Sequence, residues 1–165
     1  MSTKSTYYAP TGGLPPQTQM LSDRAIFTEA YAIIPKRVLT DIVISYLPFW
    51  EGMRMWVIAR PLTGFSETFS QYIVEVAPNG GSQKPELDMK AEAVLFVVEG
   101  EMDITIEGKA HHLEAGGYAF LPPECKWTLK NNSDKHVKFH WIRKAYQFVD
   151  GIDAPEAFVT SDHDV

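Results

Sequence analysis

Apolar and polar residues alternate along this chain in short runs, each closed by glycine, proline, asparagine or aspartate. In the run Met102–Ile106, three apolar side chains alternate with Asp103 and Thr105, which is typical of a strand with one buried and one wet face. Further runs rich in Val, Ile, Phe, Tyr and Trp occupy residues 25–28, 30–34, 53–59, 69–76, 93–98, 118–121, 127–130 and 137–143. Many short strands at this spacing predict an all-β sandwich or barrel with little helix.

Two dipeptides predict tight turns between strands. Glu99-Gly100 and Glu107-Gly108 each place a glycine between two strand-like runs. Glycine adopts a positive φ without a steric penalty, and a tight hairpin turn requires such residues. We therefore expect two successive hairpins in this region.

Composition bounds the class of protein. The 165 residues are 45% hydrophobic, which is enough for one core of ordinary domain size. The net charge of −6 leaves no excess of basic side chains to neutralise phosphates, so no nucleic-acid partner is expected. Cys125 is the only cysteine, which fits a reducing compartment. Because no run of about 18 apolar residues occurs, we expect no membrane partner and predict a cytoplasmic location.

The two ends of the chain differ from its middle. Residues 1–22 are rich in Ser, Thr, Pro and Gly and predict a flexible N-terminal arm. Residues 23–150 hold the strand-like runs and predict the barrel. Residues 151–165 contain Pro155 and several acidic residues, and predict a tail or linker toward a further domain outside this sequence.

A glycine- and proline-containing motif then places a tryptophan at an informative position. Gly116, five residues, Pro122-Pro123, Trp127 and, after three more residues, Asn131 resemble the second signature of cupin barrels. Trp127 stands where those barrels usually place a metal-binding histidine. An indole N–H is a donor with no lone pair for a cation, so the usual metal site cannot be completed at this position.

Other segments resemble a narrower family. Residues 78–81 (Pro-Asn-Gly-Gly), Glu92 with Gly100 eight positions later, and residues 140–144 (His-Trp-Ile-Arg-Lys) resemble the N-terminal half of the bicupin (S)-ureidoglycine aminohydrolases, also called glyoxylate-induced or allantoin-utilisation proteins. The resemblance implies a single degenerate cupin barrel, that is, a double-stranded β-helix or jelly roll.

The same resemblance implies a pathway. The family hydrolyses (S)-ureidoglycine to (S)-ureidoglycolate and ammonia in purine and allantoin catabolism, with Mn²⁺ held by its C-terminal barrel. That barrel has no counterpart in this chain. We therefore expect no cofactor and no catalytic residue here, and Mn²⁺ only in the second cupin of a full-length family member.

Three carboxylates lie near the positions where the first cupin signature supplies metal ligands. Glu86, Asp88 and Glu92 occupy a segment, residues 82–92, that contains no histidine. Carboxylate oxygens suit a hard ion such as Mg²⁺ or Mn²⁺. Loop charges are more often solvated, and a carboxylate that opens an apolar run often just satisfies its neighbours. These residues are therefore weak metal candidates.

Four residues are candidates for lining a small-molecule pocket: Glu92, Trp127, His140 and Arg143. A guanidinium can clamp the carboxylate of a ureido acid, although pairing with acidic neighbours explains Arg143 as readily. Trp127 either fills the lumen of the barrel or forms one wall of an apolar pocket. Cys125 is expected to be a small buried side chain and not a nucleophile.

The leading hypothesis is a metal-free cupin module with a structural and oligomerising role, in which unpaired strand edges favour homo-oligomers. Two alternatives remain open. One is a stand-alone enzyme in which Glu86, Asp88, Glu92 and His140 bind a metal. The other is a non-catalytic sensor that binds a small ureido or carboxylic acid beside Trp127.

Overall fold

The computed structural model describes residues 26–27, 31–33, 44–61, 66 and 68–164. The chain divides into two compact units, Met1–Val43 and Ile44–Val165. In the first unit, strands β1 (Ile26–Phe27) and β2 (Ala32–Ile33) pair antiparallel, with Ile26 opposite Ile33. The predicted N-terminal arm, residues 1–22, lies outside the described residues.

The second unit consists of antiparallel strands and almost no helix, which confirms the predicted all-β class. The strands are β3 (Trp50–Ala59), β4 (Phe69–Ser82), β5 (Ala91–Glu99), β6 (Met102–Ile106), β7 (Lys109–Leu113), β8 (Gly117–Leu121), β9 (Trp127–Lys130), β10 (Val137–Ala145) and β11 (Phe158–Ser161). One short 3-10 helix, Asp162–Asp164, follows β11. None of the helices in the described part of the chain is long and apolar enough to cross a membrane.

The long strand β4 curls the sheet into a nearly closed barrel. The hydrogen-bonded order is β11-β8-β5-β10-β4-β9-β6-β7, and β3 also pairs with β4. The first part of β4 pairs with β10 and β3, whereas its last residues, Gly81 and Ser82, pair with β9. At Gly81 a Cβ atom would lie 2.3 Å from the carbonyl oxygen of Leu129, so only glycine permits this close crossing.

The inner face of the barrel is built by alternation along each strand. In β10, Val137, Phe139 and Trp141 are buried, and the residues between them are more exposed. The same pattern in β5 buries Leu95 and Val97. These side chains meet in one hydrophobic core, as the period-2 pattern predicts.

One predicted hairpin is confirmed and the other is wrong. Glu107 and Gly108 both have positive φ and join the paired strands β6 and β7, with Ile106 opposite Lys109. Gly100 has a φ of 81° but joins β5 to β6, which pair with other strands and not with each other. Backbone crowding explains why position 100 is a glycine, since a Cβ there would lie 2.6 Å from the carbonyl oxygen of His136.

Strand β11 lies within the predicted tail, residues 151–165. It pairs antiparallel with β8, with Phe158 opposite Phe120 and Val159 opposite Ala119. Part of this segment therefore extends the edge of the sheet. A second barrel beyond it remains a prediction.

Candidate functional site

Four aromatic side chains meet inside the barrel. Trp127 of β9 is only 6% exposed and lies edge-on to Trp141 of β10, with ring centroids 6.2 Å apart. Trp50 and Tyr72 also pack on Trp141, at 5.8 Å and 5.7 Å between centroids. Tilted and edge-on pairs are the favoured geometries for aromatic rings. The indole that replaces the expected imidazole is therefore part of the core.

The inner face does not fit the metal ion that cupin resemblance implies. Among the described residues, the buried polar side chains are Ser66, Ser82 and Asn131. The Asn131 amide nitrogen donates to the carbonyl oxygens of Val76 and Lys135, so it joins β4 to the loop between β9 and β10. A manganese or zinc ion would need imidazole or carboxylate ligands at this depth. The buried side chains in the described part of the chain therefore do not provide a ligand set for such an ion.

One end of the barrel carries a guanidinium–carboxylate pair. Arg143 donates through Nε and Nη2 to the two oxygens of Glu86, at 2.6 Å and 2.9 Å. The guanidinium also lies 5.8 Å from the centre of the Trp141 ring. The Glu86 side chain is 11% exposed and also accepts the backbone N–H of Asp88. Glu86 is thus an anchor for the loop before β5, with both oxygens already bonded.

The three carboxylates proposed as weak metal ligands do not converge. Asp88 lies near the same guanidinium, with its oxygen 3.9 Å from Nη2 of Arg143. Glu92 instead pairs with Lys144 at 3.1 Å. Arg143 and Lys144 are successive strand residues, and successive side chains point to opposite faces of a sheet. Glu92 is therefore on the other face from Glu86 and Asp88.

A shallow cavity of about 240 Å³ opens beside the Arg143–Glu86 pair. Its remaining walls are apolar or acidic, from Leu47, Pro48, Trp50, Pro85, Leu87 and Asp88. The Trp50 indole N–H is directed at the carbonyl oxygen of Pro85, 3.4 Å away. Sequence analysis missed Leu47, Pro48 and Trp50, because no local pattern indicates that two loops meet there.

His140 lies on the outer face and not in the lumen. Its Nδ1 is 3.3 Å from the Gln71 side-chain nitrogen. On the strands that flank β10, it lies opposite Ile73 of β4 and Phe96 of β5. Burial lowers the pKa of His140 below its usual 6.5, which favours the neutral ring. Of the four pocket candidates, Trp127 and Arg143 face inward, whereas His140 and Glu92 face outward.

Two indole N–H groups are buried without a hydrogen-bond partner among the described residues, those of Trp56 and Trp141. Buried donors are usually bonded, to protein or to water. The Trp141 group belongs to the aromatic cluster beside Arg143. It is a buried donor without a partner among the described residues, next to the Arg143 guanidinium.

Cys125 is half-buried near the end of the loop between β8 and β9, two residues before Trp127. Burial, followed by the nearby charge of Glu107, raises the pKa of its thiol to about 11. The reactive thiolate is therefore disfavoured at neutral pH.

Comparison with known proteins agrees with the barrel. Residues 72–143 match the family model described as a cupin domain. A curated relative, (S)-ureidoglycine aminohydrolase of Escherichia coli strain K12, is 28% identical over 133 residues, which are 80% of this chain and 49% of that protein. This chain thus spans about half the length of that relative.

Solved structures give the same result. A crystal structure of a candidate glyoxylate-induced protein from Pseudomonas aeruginosa is 63% identical, with a TM-score of 0.79, and the match covers 98% of this chain and 58% of that one. Protein Ylba of E. coli has a TM-score of 0.75 at 24% identity, covering 89% and 59% of the two chains, and this likeness concerns the fold alone.

The barrel is therefore of cupin type, and residues 72–143 within it match the cupin-domain model. The chain is related in sequence to (S)-ureidoglycine aminohydrolase and in sequence and structure to the glyoxylate-induced protein. Both expectations from the sequence, the cupin fold and the family resemblance, are confirmed.

Proposed function

We propose that this chain is a non-catalytic cupin module of a ureidoglycine aminohydrolase-like protein, with a barrel interior that holds no metal and a structural, oligomerising role in the cytoplasm. One observation carries the proposal: the inner face of the described barrel is packed with apolar and aromatic side chains, including Trp127 at the expected ligand position. A hydrolase of this kind needs a polarising cation or a positioned base, and the fully buried side chains of the described barrel include no carboxylate or imidazole to hold the one or to act as the other.

The lengths of the relatives support a non-catalytic role for this module. The chain covers 49% of the E. coli enzyme and 58% of the P. aeruginosa chain, so each relative has a further large segment. Hydrolysis of ureidoglycine, in a protein of that length, would use groups outside this chain. In such a protein, this module would have a structural role and would hold the subunits together.

An apolar patch on the outer face supports the oligomerising role. Phe96 and Val98 of β5 and Phe158 of β11 are 38%, 51% and 49% exposed. Phe158 stacks on Tyr118 and Phe120 of β8, with both pairs of centroids 5.7 Å apart. Contiguous apolar surface of this kind on a protein usually marks an interaction site.

The test uses the chain alone. Purified protein is incubated with Mn²⁺, passed through gel filtration, and assayed for retained metal and for ammonia release from (S)-ureidoglycine. The E. coli enzyme treated identically is the positive control. We expect no retained manganese and no ammonia above background, together with an oligomer larger than one chain. Ammonia release by this chain would refute the proposal, and so would Mn²⁺ retained near one ion per chain both by the wild type and by His112→Ala, which lacks the exposed histidine of the β6–β7 hairpin.

A second candidate function is the binding of a small ureido or carboxylic acid at the barrel mouth. It is favoured by the unpartnered Trp141 N–H close to Arg143 and by the adjacent cavity of about 240 Å³. An acid would compete with Glu86 for the guanidinium.

Tryptophan fluorescence tests this candidate. Titration with glyoxylate and with ureido acids should change the emission of the wild-type chain, and Arg143→Gln should abolish the response. Arg54→Gln is the matched control, because Arg54 pairs with Glu75 on the opposite face of the barrel wall. An unchanged spectrum at millimolar ligand, or an equal response in both variants, would rule this candidate out.

A further inference from the structure

The hairpin of β6 and β7 gathers four ionisable side chains on its wet face. Asp103 lies directly opposite His112, and the next pair along the hairpin is Met102 with Leu113. Glu101 immediately precedes β6, and Glu114 immediately follows β7. Residues two apart on a strand share a face, so these four side chains project from the hairpin on the same side.

Three of them bring possible metal-ligand atoms close together. The Nε2 atom of His112 lies 3.7 Å from a Glu101 oxygen and 3.9 Å from a Glu114 oxygen. One ligand atom from each of the three residues falls within 4.8 Å of the others. A cation that draws these atoms closer together would have one imidazole nitrogen and two carboxylate oxygens as its protein ligands.

The imidazole is oriented from outside this set. Its Nδ1 lies 2.8 Å from Asp103 Oδ1, and the Asn132 amide, from the loop between β9 and β10, donates to the other Asp103 oxygen at 2.6 Å. With Nδ1–H donated to Asp103, the lone pair of a neutral ring is on Nε2 and faces the two glutamates. A carboxylate behind a histidine ligand is a common outer shell of protein metal sites.

From this geometry we infer that His112, Glu101 and Glu114 bind a divalent cation, with Zn²⁺ preferred and water completing the coordination. Zinc accepts mixed nitrogen and oxygen ligands in a tetrahedral arrangement and takes three protein ligands plus water in open sites. Two glutamates neutralise its charge. The side chains are 51%, 49% and 75% exposed, so we expect exchangeable binding and not a buried structural ion. This site is separate from the barrel interior and does not depend on the proposed function.

Calorimetric titration with Zn²⁺ at mildly alkaline pH tests the inference on the full chain. We expect one saturable site per chain, lost in His112→Ala and weakened at least about tenfold in Asp103→Asn, which alters only the orienting group. His163→Ala is the matched control, because His163 is also exposed and lies 3.7 Å from a single carboxylate, that of Asp162. It should bind Zn²⁺ as the wild type does.

The inference is overturned if the wild type shows no saturable heat, or if His112→Ala binds Zn²⁺ as tightly as the wild type. Circular dichroism of each variant checks folding, and Glu114→Gln provides a second loss-of-ligand variant. A negative result in this test would not affect the proposal that the barrel interior holds no metal. Conversely, manganese retained after gel filtration by His112→Ala would count against the barrel proposal alone.

Discussion

The rings of Trp127 and Trp141 meet edge to face inside the barrel, with an interplanar angle of 80°. The two residues come from β9 and β10, which pair with different parts of β4. Their contact therefore joins two parts of the curled sheet through its interior. The residue that removes the expected metal ligand also contributes to the core.

Replacing Trp127 should thus affect stability. Trp127→Ala removes a buried ring and leaves a cavity, which we expect to lower the free energy of unfolding by about 3–5 kcal/mol. Trp127→Phe should lower it by less, because an aromatic ring still faces Trp141. Urea denaturation followed by circular dichroism measures both. Equal stability of wild type and Trp127→Ala would show that the ring does not support the core.

The Arg143–Glu86 pair gives a second prediction. Glu86→Gln removes the charge that neutralises a partly buried guanidinium, so we expect a loss of about 1–3 kcal/mol in the free energy of unfolding. Asp88→Asn is the matched control, since Asp88 is 54% exposed and 3.9 Å from the same guanidinium. Its expected effect is below about 0.5 kcal/mol. Similar losses in the two variants would contradict the anchoring role of Glu86.

Two glycines with the same backbone angle should respond differently to alanine. Gly100 and Gly108 both have a φ of 81°, but a Cβ at Gly100 would lie 2.6 Å from a carbonyl oxygen, whereas nothing lies within 4 Å at Gly108. Gly108→Ala should lose about 1 kcal/mol from backbone strain, and Gly100→Ala should lose more than this. Thermal denaturation of both variants gives the comparison. A larger loss at Gly108 would contradict the close approach of the chain at Gly100.

The strands that sequence analysis predicted are those with strong alternation, such as β6 and β10. Strand β7 was implied only by the predicted hairpin at Glu107-Gly108 and had no bounds, because its residues Lys109–Leu113 are mostly polar and lie at the edge of the sheet. Strand β11 was missed because its partner β8 is distant in sequence. The wrong hairpin at Gly100 has the same cause: a glycine between two strands indicates a turn, but the curl of the whole sheet decides which strands pair.

The candidate site was only partly predictable. The motif spacing singled out Trp127, which the structure buries in the core, and it placed Glu86 near a metal-ligand position of the first cupin signature. It could not reveal that Arg143 binds both oxygens of Glu86, because the two residues are 57 positions apart. The alternation of β10 does, in hindsight, separate inward Arg143 from outward His140.

The pKa values of His112 and His140 should be shifted in opposite directions. Hydrogen bonding to Asp103 raises the pKa of His112 above 6.5, whereas burial lowers that of His140 below 6.5. His112 therefore stabilises the fold below its unfolded pKa, and this contribution is lost as pH rises through its folded pKa. For His140 stability is greatest above the unfolded pKa and falls as pH drops toward its folded pKa.

Proton NMR titration of the ring signals measures both pKa values directly. Asp103→Asn should move the His112 pKa down toward 6.5 and leave His140 unchanged, because Asp103 is the first cause of the His112 shift. A His140 pKa above that of His112 would contradict the assigned environments.

We propose that the interior of this barrel does not hold a metal ion. Crystals of the chain grown with Mn²⁺ and measured at the manganese absorption edge test it most directly. We predict no anomalous density among the inner-face side chains, whatever ions appear on the surface at the β6–β7 hairpin. An anomalous peak inside the barrel, coordinated by side chains of this chain, would contradict the account.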